Sequence, residues 1–183
     1  NYPEGLYVAE ENGKLLVADG SEKKESNPTE SVWYQDGLTR LNMGFTDAYT
    51  NENGEAVISA SGILNDNSGV MKVISADLSL QRISIIVNSF VEMDDAQAFL
   101  INSSDGTILA HRDNSLISTK LSDSDSSLMK EIDEKRQQGD YNMEEIDGNL
   151  TAFKEISGTD WLLVSYIPTS IIYADINTVR TVM

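Results

Sequence analysis

The chain has 183 residues, 40% of them hydrophobic, which is enough for one large domain or for two modules of about 90 residues each. It carries 13 Lys and Arg against 30 Asp and Glu, a formal net charge of −17. This charge argues against nucleic acid as a partner, because nucleic acid is bound by clustered basic residues, and it favours cations and zwitterions. The absence of cysteine excludes disulfides and cysteine-based metal sites, and no apolar run reaches the ~20 residues that cross a bilayer.

Two stretches of the chain share one plan, an apolar strand, a tight turn and a second apolar strand. Residues 5–20 turn at Asn12-Gly13, where we expect a type I′ turn with positive φ at both central residues. Residues 98–113 turn at Asp105-Gly106. The repeat predicts two similar modules in tandem.

The remainder of the first half alternates polar and apolar segments. Residues 19–30 are polar and end in Asn27-Pro28, which is typical of a surface loop. The pattern then predicts a short helix over 33–40 and strands over 55–64 and 69–77. From Leu78 onward the apolar residues recur at helical spacing, which predicts a helix that packs on a sheet or a neighbour.

The second half repeats this order. A polar stretch from Ser122 precedes a helix predicted over 127–138, and a hairpin follows over 141–156. The last strand begins at Asp160, and Pro168 stands where a final helix towards Met183 begins. Strands in antiparallel sheets with helices at their sides predict an α+β class, with tandem PAS-like modules over 1–92 and 93–183.

Asp77 is the first candidate for a ligand-binding residue. Alternation along 69–78 places Asp77 at the end of a mainly apolar face, with Val73 and Ser75 on the same side. A carboxylate in such a place needs a cation or several donors, and a ligand ammonium would satisfy it. The alternative is that Asp77 caps the helix that starts near Leu78. Spacing alone leaves both interpretations open.

Three aromatic residues are further candidates for the same site. Trp33 and Tyr34 follow the long polar loop, and Tyr49 precedes a turn at Asn53-Gly54. Aromatic faces attract ammonium groups by ~0.5–2 kcal/mol each. The alternative for Trp33 and Tyr34 is that both are core aromatics, and for Tyr49 that it packs on a half-buried hairpin face.

The sequence gives little support to catalysis. His111 is the only histidine, so a Ser-His-Asp arrangement would have to use it, and it lies in a predicted solvated loop beside Arg112. Glycine-rich nucleotide-binding motifs are absent from the sequence. We therefore expect neither an enzyme nor a catalytic residue, and we expect no metal and no cofactor.

With these motifs the chain resembles the double Cache ligand-binding domains of bacterial chemoreceptors and sensor histidine kinases. The resemblance covers nearly the whole chain and rests on the order of its motifs. These are the first hairpin, the loop through Asn27-Pro28 into Trp33-Tyr34, the Tyr49 turn, residues 69–77, the Asp105-Gly106 hairpin and residues 158–161. It implies two PAS-like modules, of which the membrane-distal one, here the first, binds the ligand. It also implies a long N-terminal helix that is missing here, which leads us to expect a truncated chain.

The resemblance also implies which residues bind the ligand. Amino-acid-binding members carry an Arg two residues before the Trp-Tyr pair, together with a later Tyr and an Asp. Trp33, Tyr34, Tyr49 and Asp77 match that pattern, whereas Ser31 stands at the Arg position. A serine cannot grip a carboxylate bidentately as a guanidinium does, so the ammonium half of the site is retained and the carboxylate half is open. Arg40 is a candidate substitute.

These observations predict an extracytoplasmic sensor domain of a membrane-anchored signalling receptor. We expect its partner to be a small amine or amino acid, bound in the first module, and homodimer formation is compatible with this role. The second hypothesis is an interaction or dimerisation module without a small ligand. It is supported by Ser31, which stands where amino-acid-binding members carry an Arg, and by the purely structural alternative for each aromatic residue.

Overall fold

The computed structural model describes residues 5–18 and 25–174, and the chain divides into two compact units between Leu80 and Gln81. The sequence-based division at 92/93 lies 12 residues later, beyond the helix that follows Leu80. Most of this helix therefore groups with the second unit.

The first unit is one antiparallel sheet with a short helix. Its elements are β1 (Leu6–Glu10), β2 (Leu15–Val17), a 3₁₀ turn (Pro28–Glu30), α1 (Val32–Gly37), β3 (Gly44–Phe45), β4 (Tyr49–Thr50), β5 (Ala56–Ile63) and β6 (Lys72–Ser79). The strand order is β2-β1-β6-β5-β3, and β4 pairs with β5 beside β3.

The first hairpin forms as predicted, but the type I′ turn is wrong. β1 and β2 pair antiparallel, with Ala9 opposite Leu15. Gly13 has a φ of +86° and its N–H donates to the Glu10 carbonyl at 2.9 Å, whereas Asn12 has no positive φ. A type I′ turn, with positive φ at both central residues, belongs to a two-residue loop. The loop between β1 and β2 is longer, so a single residue with positive φ closes it.

Strand β6 alternates between the two faces of the sheet as expected. Val73, Ser75 and Asp77 are buried on one face, and the residues between them are only partly buried. Helix α1 lies close to this face, since a Cβ on Gly37 would stand 2.5 Å from the Val73 Cγ1 atom. The core of this unit comprises Tyr7, Ala9, Trp33, Tyr34 and Val73.

The second unit has a similar sheet and a longer helix. Its elements are most of α2 (Leu80–Ser89), then β7 (Gln97–Asn102), β8 (Ile108–Ala110), two 3₁₀ turns (Asn114–Leu116 and Leu121–Asp123), α3 (Ser127–Gln138), β9 (Glu144–Ile146), β10 (Asn149–Ile156) and β11 (Trp161–Pro168). The antiparallel strand order is β8-β7-β11-β10-β9.

Helix α3 has the bounds that the sequence predicts. The Ser126 side chain accepts a hydrogen bond from the Met129 N–H at 3.4 Å, and Gly139 ends the helix with a φ of +66°. Its apolar residues Leu128, Met129 and Ile132 are buried in the core of the second unit with strand residues such as Phe99 and Leu162. The capping residues and the buried apolar residues therefore stabilise the same 12-residue helix.

The last predicted helix is present over 169–174, and its continuation towards Met183 lies outside the described residues. Within 5–18 and 25–174, no helix is long and apolar enough to span a bilayer. Two antiparallel sheets with few helices confirm the α+β fold class.

Candidate ligand site in the first unit

Asp77 lies inside strand β6, directly opposite Ser59 of β5. Its side chain is only 6% exposed. Helix α2 begins three residues later, at Leu80, so the helix-cap interpretation of Asp77 is wrong. A carboxylate this deeply buried requires hydrogen-bond donors, because transfer out of water strongly disfavours the charged form.

Two hydroxyl groups from neighbouring strands meet the carboxylate. The Ser59 Oγ donates to the Asp77 Oδ1 at 2.6 Å, and the Tyr7 hydroxyl of β1 donates to the same oxygen. Burial, and then the nearby Asp77 charge, raise the pKa of Tyr7 well above its ordinary value. Tyr7 therefore stays protonated and remains a donor throughout the physiological pH range.

Tyr49 extends this network by one step. It lies in β4, opposite Val57, and its hydroxyl is 2.6 Å from the Ser59 Oγ. Burial raises the pKa of Tyr49 as well. Because Ser59 donates its only hydroxyl proton to Asp77, Tyr49 is the donor in the Tyr49–Ser59 bond. The chain of bonds thus runs from Tyr49 through Ser59 to Asp77.

The two aromatic residues of α1 lie beside this network. The Trp33 and Tyr7 rings pack edge to face, with centroids 4.6 Å apart, and Tyr34 lies 5.9 Å from Trp33. Trp33 is fully buried and Tyr34 is 3% exposed, so both side chains pack in the core of the first unit. The same packing places Trp33 against the tyrosine that holds Asp77.

Two further carboxylates act on the aromatic cluster. The Trp33 Nε1–H donates to the Glu25 Oε2 at 3.1 Å. Burial, and then the charge of Glu11, raise the pKa of Tyr34. With Asp77, these residues give the cluster a negative environment, which favours a cationic group over an anionic one.

The structure does not join Ser31 to the Asp77 network. Ser31 is the N-cap residue of α1, but its side chain makes no cap hydrogen bond and donates instead to the Pro28 carbonyl at 2.5 Å. Arg40 forms an ion pair with Asp36 at 2.7 Å and donates to the Phe45 carbonyl at 2.9 Å. Its guanidinium is therefore engaged near the end of α1, and these contacts do not favour it as the substitute.

Sequence reasoning missed three residues of this site, namely Tyr7, Ser59 and Glu25. Tyr7 lies two residues before Ala9 in β1, and both are buried on the same face. The alternation of this strand could therefore have predicted that Tyr7 points inward. Ser59 and Glu25 carry no comparable signal, because the role of Ser59 depends on strand register and that of Glu25 on its hydrogen bond with Trp33.

His111 is not the solvated residue that the sequence predicts. It is 7% exposed, its backbone N–H donates to the Ser84 Oγ at 3.1 Å, and its Nδ1 accepts from the Asp113 N–H at 2.9 Å. Burial lowers its pKa below the ordinary value. An accepting Nδ1 and a low pKa both favour the neutral ring.

Comparison with solved structures identifies the same fold in chemoreceptor domains. The ligand-binding domain of the Pseudomonas aeruginosa amino acid chemoreceptor PctB, in complex with L-Arg, matches with a TM-score of 0.69 and 23% identity, over 98% of this chain and 71% of that one. The ligand-binding domain of the Pseudomonas fluorescens chemoreceptor CtaA, in complex with L-isoleucine, matches with a TM-score of 0.67 and 18% identity, over 93% and 71% of the two chains.

Comparison of sequences gives the family. McpG of Pseudomonas putida, a methyl-accepting chemotaxis protein, is 29% identical over 119 residues, which are 64% of this chain and 19% of that protein. The chain thus matches only a small part of that much longer relative. The model of the Cache domain family matches residues 1–176. This match extends over both units, and the chain belongs to the Cache domain family.

Proposed function

We propose that this chain is an extracytoplasmic ligand-binding sensor domain of a membrane-anchored signalling receptor, of the chemotaxis or two-component type. It acts without catalysis and binds a small amine or amino acid in its first unit. Membership of the Cache family and the similarity to a chemotaxis protein support the sensor role. The observation that carries the ligand class is the buried Asp77 carboxylate beside an aromatic cluster.

The chemistry of this site suits an ammonium group. Asp77 supplies a charge-assisted hydrogen bond. If the packed cluster opens to admit the ligand, Trp33, Tyr34 and Tyr49 supply aromatic faces, each worth ~0.5–2 kcal/mol to a cation. A micromolar sensor requires about −8 kcal/mol of binding free energy, which is near the upper end of what these contacts together can supply. The net charge of −17 also favours a cationic or zwitterionic ligand over an anion.

An amino acid differs from the corresponding amine by its carboxylate, which needs a partner in the protein. Ser31 makes a local bond to Pro28, and Arg40 is engaged by Asp36 and the Phe45 carbonyl. Neither contact favours a bidentate grip on a ligand carboxylate. We therefore expect amines to bind at least as tightly as the amino acids from which they derive.

The direct test is calorimetry on the 183-residue chain with panels of amines, amino acids, carboxylates and purines. We expect heat of binding from amines or amino acids, and we expect Asp77→Asn to abolish it. Asp133→Asn is the matched control, since Asp133 is an equally buried carboxylate in the second unit, where it pairs with Arg136 at 2.8 Å. If only carboxylates or purines bind, or if Asp77→Asn binds amines normally, the assignment is wrong.

A ligand-free interaction or dimerisation module is the second candidate. It is supported by the near-complete burial of Trp33 and Tyr34, which makes the cluster a packed core. This role predicts that all four panels fail to bind and that the chain forms a concentration-dependent dimer in sedimentation measurements. Retention of ligand binding in a monomeric chain would exclude it.

A further inference from the structure

Four polar side chains share the buried face of strands β5 and β6 in the first unit. Ser59 and Ser61 alternate along β5, and Ser75 and Asp77 alternate along β6. The register places Ser59 opposite Asp77 and Ser61 opposite Ser75. All three serines are 0% exposed. These four residues form a polar patch that extends the Asp77 site by one further pair of side chains along the sheet.

The two pairs of the polar patch differ in their hydrogen bonds. Ser59 donates to Asp77, so the first pair is bonded. Within residues 5–18 and 25–174, by contrast, neither the Ser61 Oγ nor the Ser75 Oγ has a hydrogen-bond partner. A buried hydroxyl without a partner costs free energy, and an alanine at the same position would avoid that cost. Native proteins rarely leave such a group unpaired, so the two hydroxyls require a reason of their own.

Helix α1 and strand β1 enclose this second pair. A Cβ on Gly37 of α1 would stand 3.3 Å from the Ser61 Cβ, and Tyr7 of β1 lies opposite Ser75. Side chains two residues apart on a strand stand about 6.6 Å apart, and cross-strand neighbours about 5 Å apart. A nitrogen about 2.9 Å from each oxygen bridges such distances. Both hydroxyls are therefore within reach of a nitrogen bound to Asp77.

The charge of Asp77 determines which kind of group the two hydroxyls can receive. A ligand carboxylate at this place would lie beside a buried carboxylate, and like charges repel strongly where water is excluded. An ammonium group has the opposite charge, and when it is primary it has three N–H donors and no acceptor. One N–H bonds the Asp77 carboxylate, and the other two require acceptors. The oxygens of Ser61 and Ser75 provide them.

We infer that Ser61 and Ser75 make the first unit selective for a primary ammonium group over an N-methylated one. This inference rests on the proposed function and specifies the form of the amine that its site accepts. Each methyl group on the nitrogen removes one donor and leaves one buried hydroxyl unpaired. Asp77 and the aromatic cluster without these serines would favour the opposite order, because aromatic faces bind quaternary ammonium groups.

The test is an NMR titration of the ¹⁵N-labelled 183-residue chain, followed at the indole resonance of Trp33. The probes are n-butylamine and its N-methyl, N,N-dimethyl and N,N,N-trimethyl derivatives, which all carry one positive charge near neutral pH. We expect the affinity to fall about tenfold with each N–H that is lost. Equal affinities, or the highest affinity for the trimethyl derivative, would overturn the inference and leave the proposed function standing. If none of the four probes binds, the amine site of the proposed function is wrong, and the inference fails with it.

Two alanine variants separate ligand recognition from a structural role of the hydroxyls. Ser61→Ala and Ser75→Ala should each weaken the binding of n-butylamine about tenfold and leave that of the trimethyl derivative unchanged. Neither variant removes a hydrogen bond within the described part of the chain, so both should resist urea at least as well as the wild type.

Ser84→Ala is the matched control for these variants. It removes another buried serine hydroxyl, which lies in the second unit and accepts from the His111 N–H at 3.1 Å. The order of the four probes should therefore stay as in the wild type. If Ser61→Ala and Ser75→Ala also keep the wild-type order, or if they lose stability in urea, the two hydroxyls serve the fold and not the ligand, and the inference is wrong.

Discussion

Ser59 and Asp77 face each other across strands β5 and β6, and the Ser59 Oγ donates to the Asp77 Oδ1 at 2.6 Å. The register of the two strands therefore determines the surroundings of the buried carboxylate. A slip of one residue would turn Asp77 to the other face of the sheet. The fold and the candidate site of the first unit thus depend on the same strand pairing.

Ser59→Ala should destabilise the chain by about 1.5–3 kcal/mol, because it removes a hydrogen bond to a buried charged group and leaves Tyr49 without its acceptor. Urea denaturation measures the loss. Ser89→Ala is the control, since it removes an exposed hydroxyl that bonds the Ile86 carbonyl, and it should change the stability by less than about 0.5 kcal/mol. Equal effects of the two substitutions would contradict a special role for Ser59.

Tyr7 should make the stability fall in alkaline solution. Its pKa in the folded chain is raised by burial and by Asp77, so above a pH of about 10 the unfolded chain loses a proton that the folded chain keeps. The folded state then binds more protons, and its stability decreases as the pH rises. The slope is at most ~1.4 kcal/mol per pH unit for each such tyrosine, and Tyr49 acts in the same direction.

Tyr7→Phe tests this because it retains the ring that packs on Trp33 and removes only the hydroxyl. We expect the variant to lose less stability than the wild type between neutral and alkaline pH, in urea denaturation at each pH. Parallel stability curves for the two proteins would show that Tyr7 does not titrate in this way.

Gly37→Ala should destabilise the first unit although alanine favours helices. A Cβ at this position would lie 2.5 Å from the Val73 Cγ1 and 3.3 Å from the Ser61 Cβ, so α1 would have to move away from the sheet. Overpacking of about 1–3 kcal/mol exceeds the gain of up to ~1 kcal/mol in helix propensity. Thermal unfolding would detect the net loss.

Gly44→Ala is the matched control for this effect. A Cβ there would meet the Arg40 Cδ at 2.6 Å, but Arg40 is a long side chain that can move aside. We expect a smaller loss than for Gly37→Ala. A larger loss would mean that the contact between Arg40 and the β3 region matters more than the approach of α1 to the sheet.

The sequence predicts local features of this fold better than contacts between distant segments. Helix α3 has the bounds that the sequence predicts, because the polar stretch that caps it lies directly before it in the chain. The inward position of Asp77 followed from strand alternation. The partners of Asp77 did not, because Tyr7 is 70 residues away and Ser59 is 18 residues away in the chain. Only the order β1-β6-β5 in the sheet brings them together.

His111 should make the stability fall in mildly acidic solution. Its pKa is lowered by burial from the ordinary value of 6.5, so below that pH the unfolded chain binds a proton that the folded chain does not. The contribution of neutral His111 to the free energy of unfolding is therefore present above pH 6.5. It is lost as the pH falls towards the pKa that His111 has in the folded chain. His111→Asn retains an acceptor for the Asp113 N–H and should flatten this dependence. An NMR titration that places the His111 pKa above 6.5 would contradict the expectation.

Ser31→Arg should shift the ligand preference of the first unit towards amino acids. Ser31 precedes Trp33 by two residues, and its side chain contributes only a local bond to Pro28, so its replacement costs about 1 kcal/mol of stability. A guanidinium at this position can grip a ligand carboxylate with two hydrogen bonds. This should raise the affinity for L-lysine relative to cadaverine, its decarboxylated counterpart, about tenfold.

The titration of Ser31→Arg can be followed at the indole resonance of Trp33, which reports on the first unit alone. Ser31→Lys is the control for added charge, because an ammonium is a point charge without the planar fork, and it should produce a smaller shift in preference. If the arginine and lysine variants change the preference equally, charge alone decides the selectivity. If neither variant changes it, position 31 does not face the ligand, and the selectivity depends instead on the carboxylates that surround Trp33 and Tyr34.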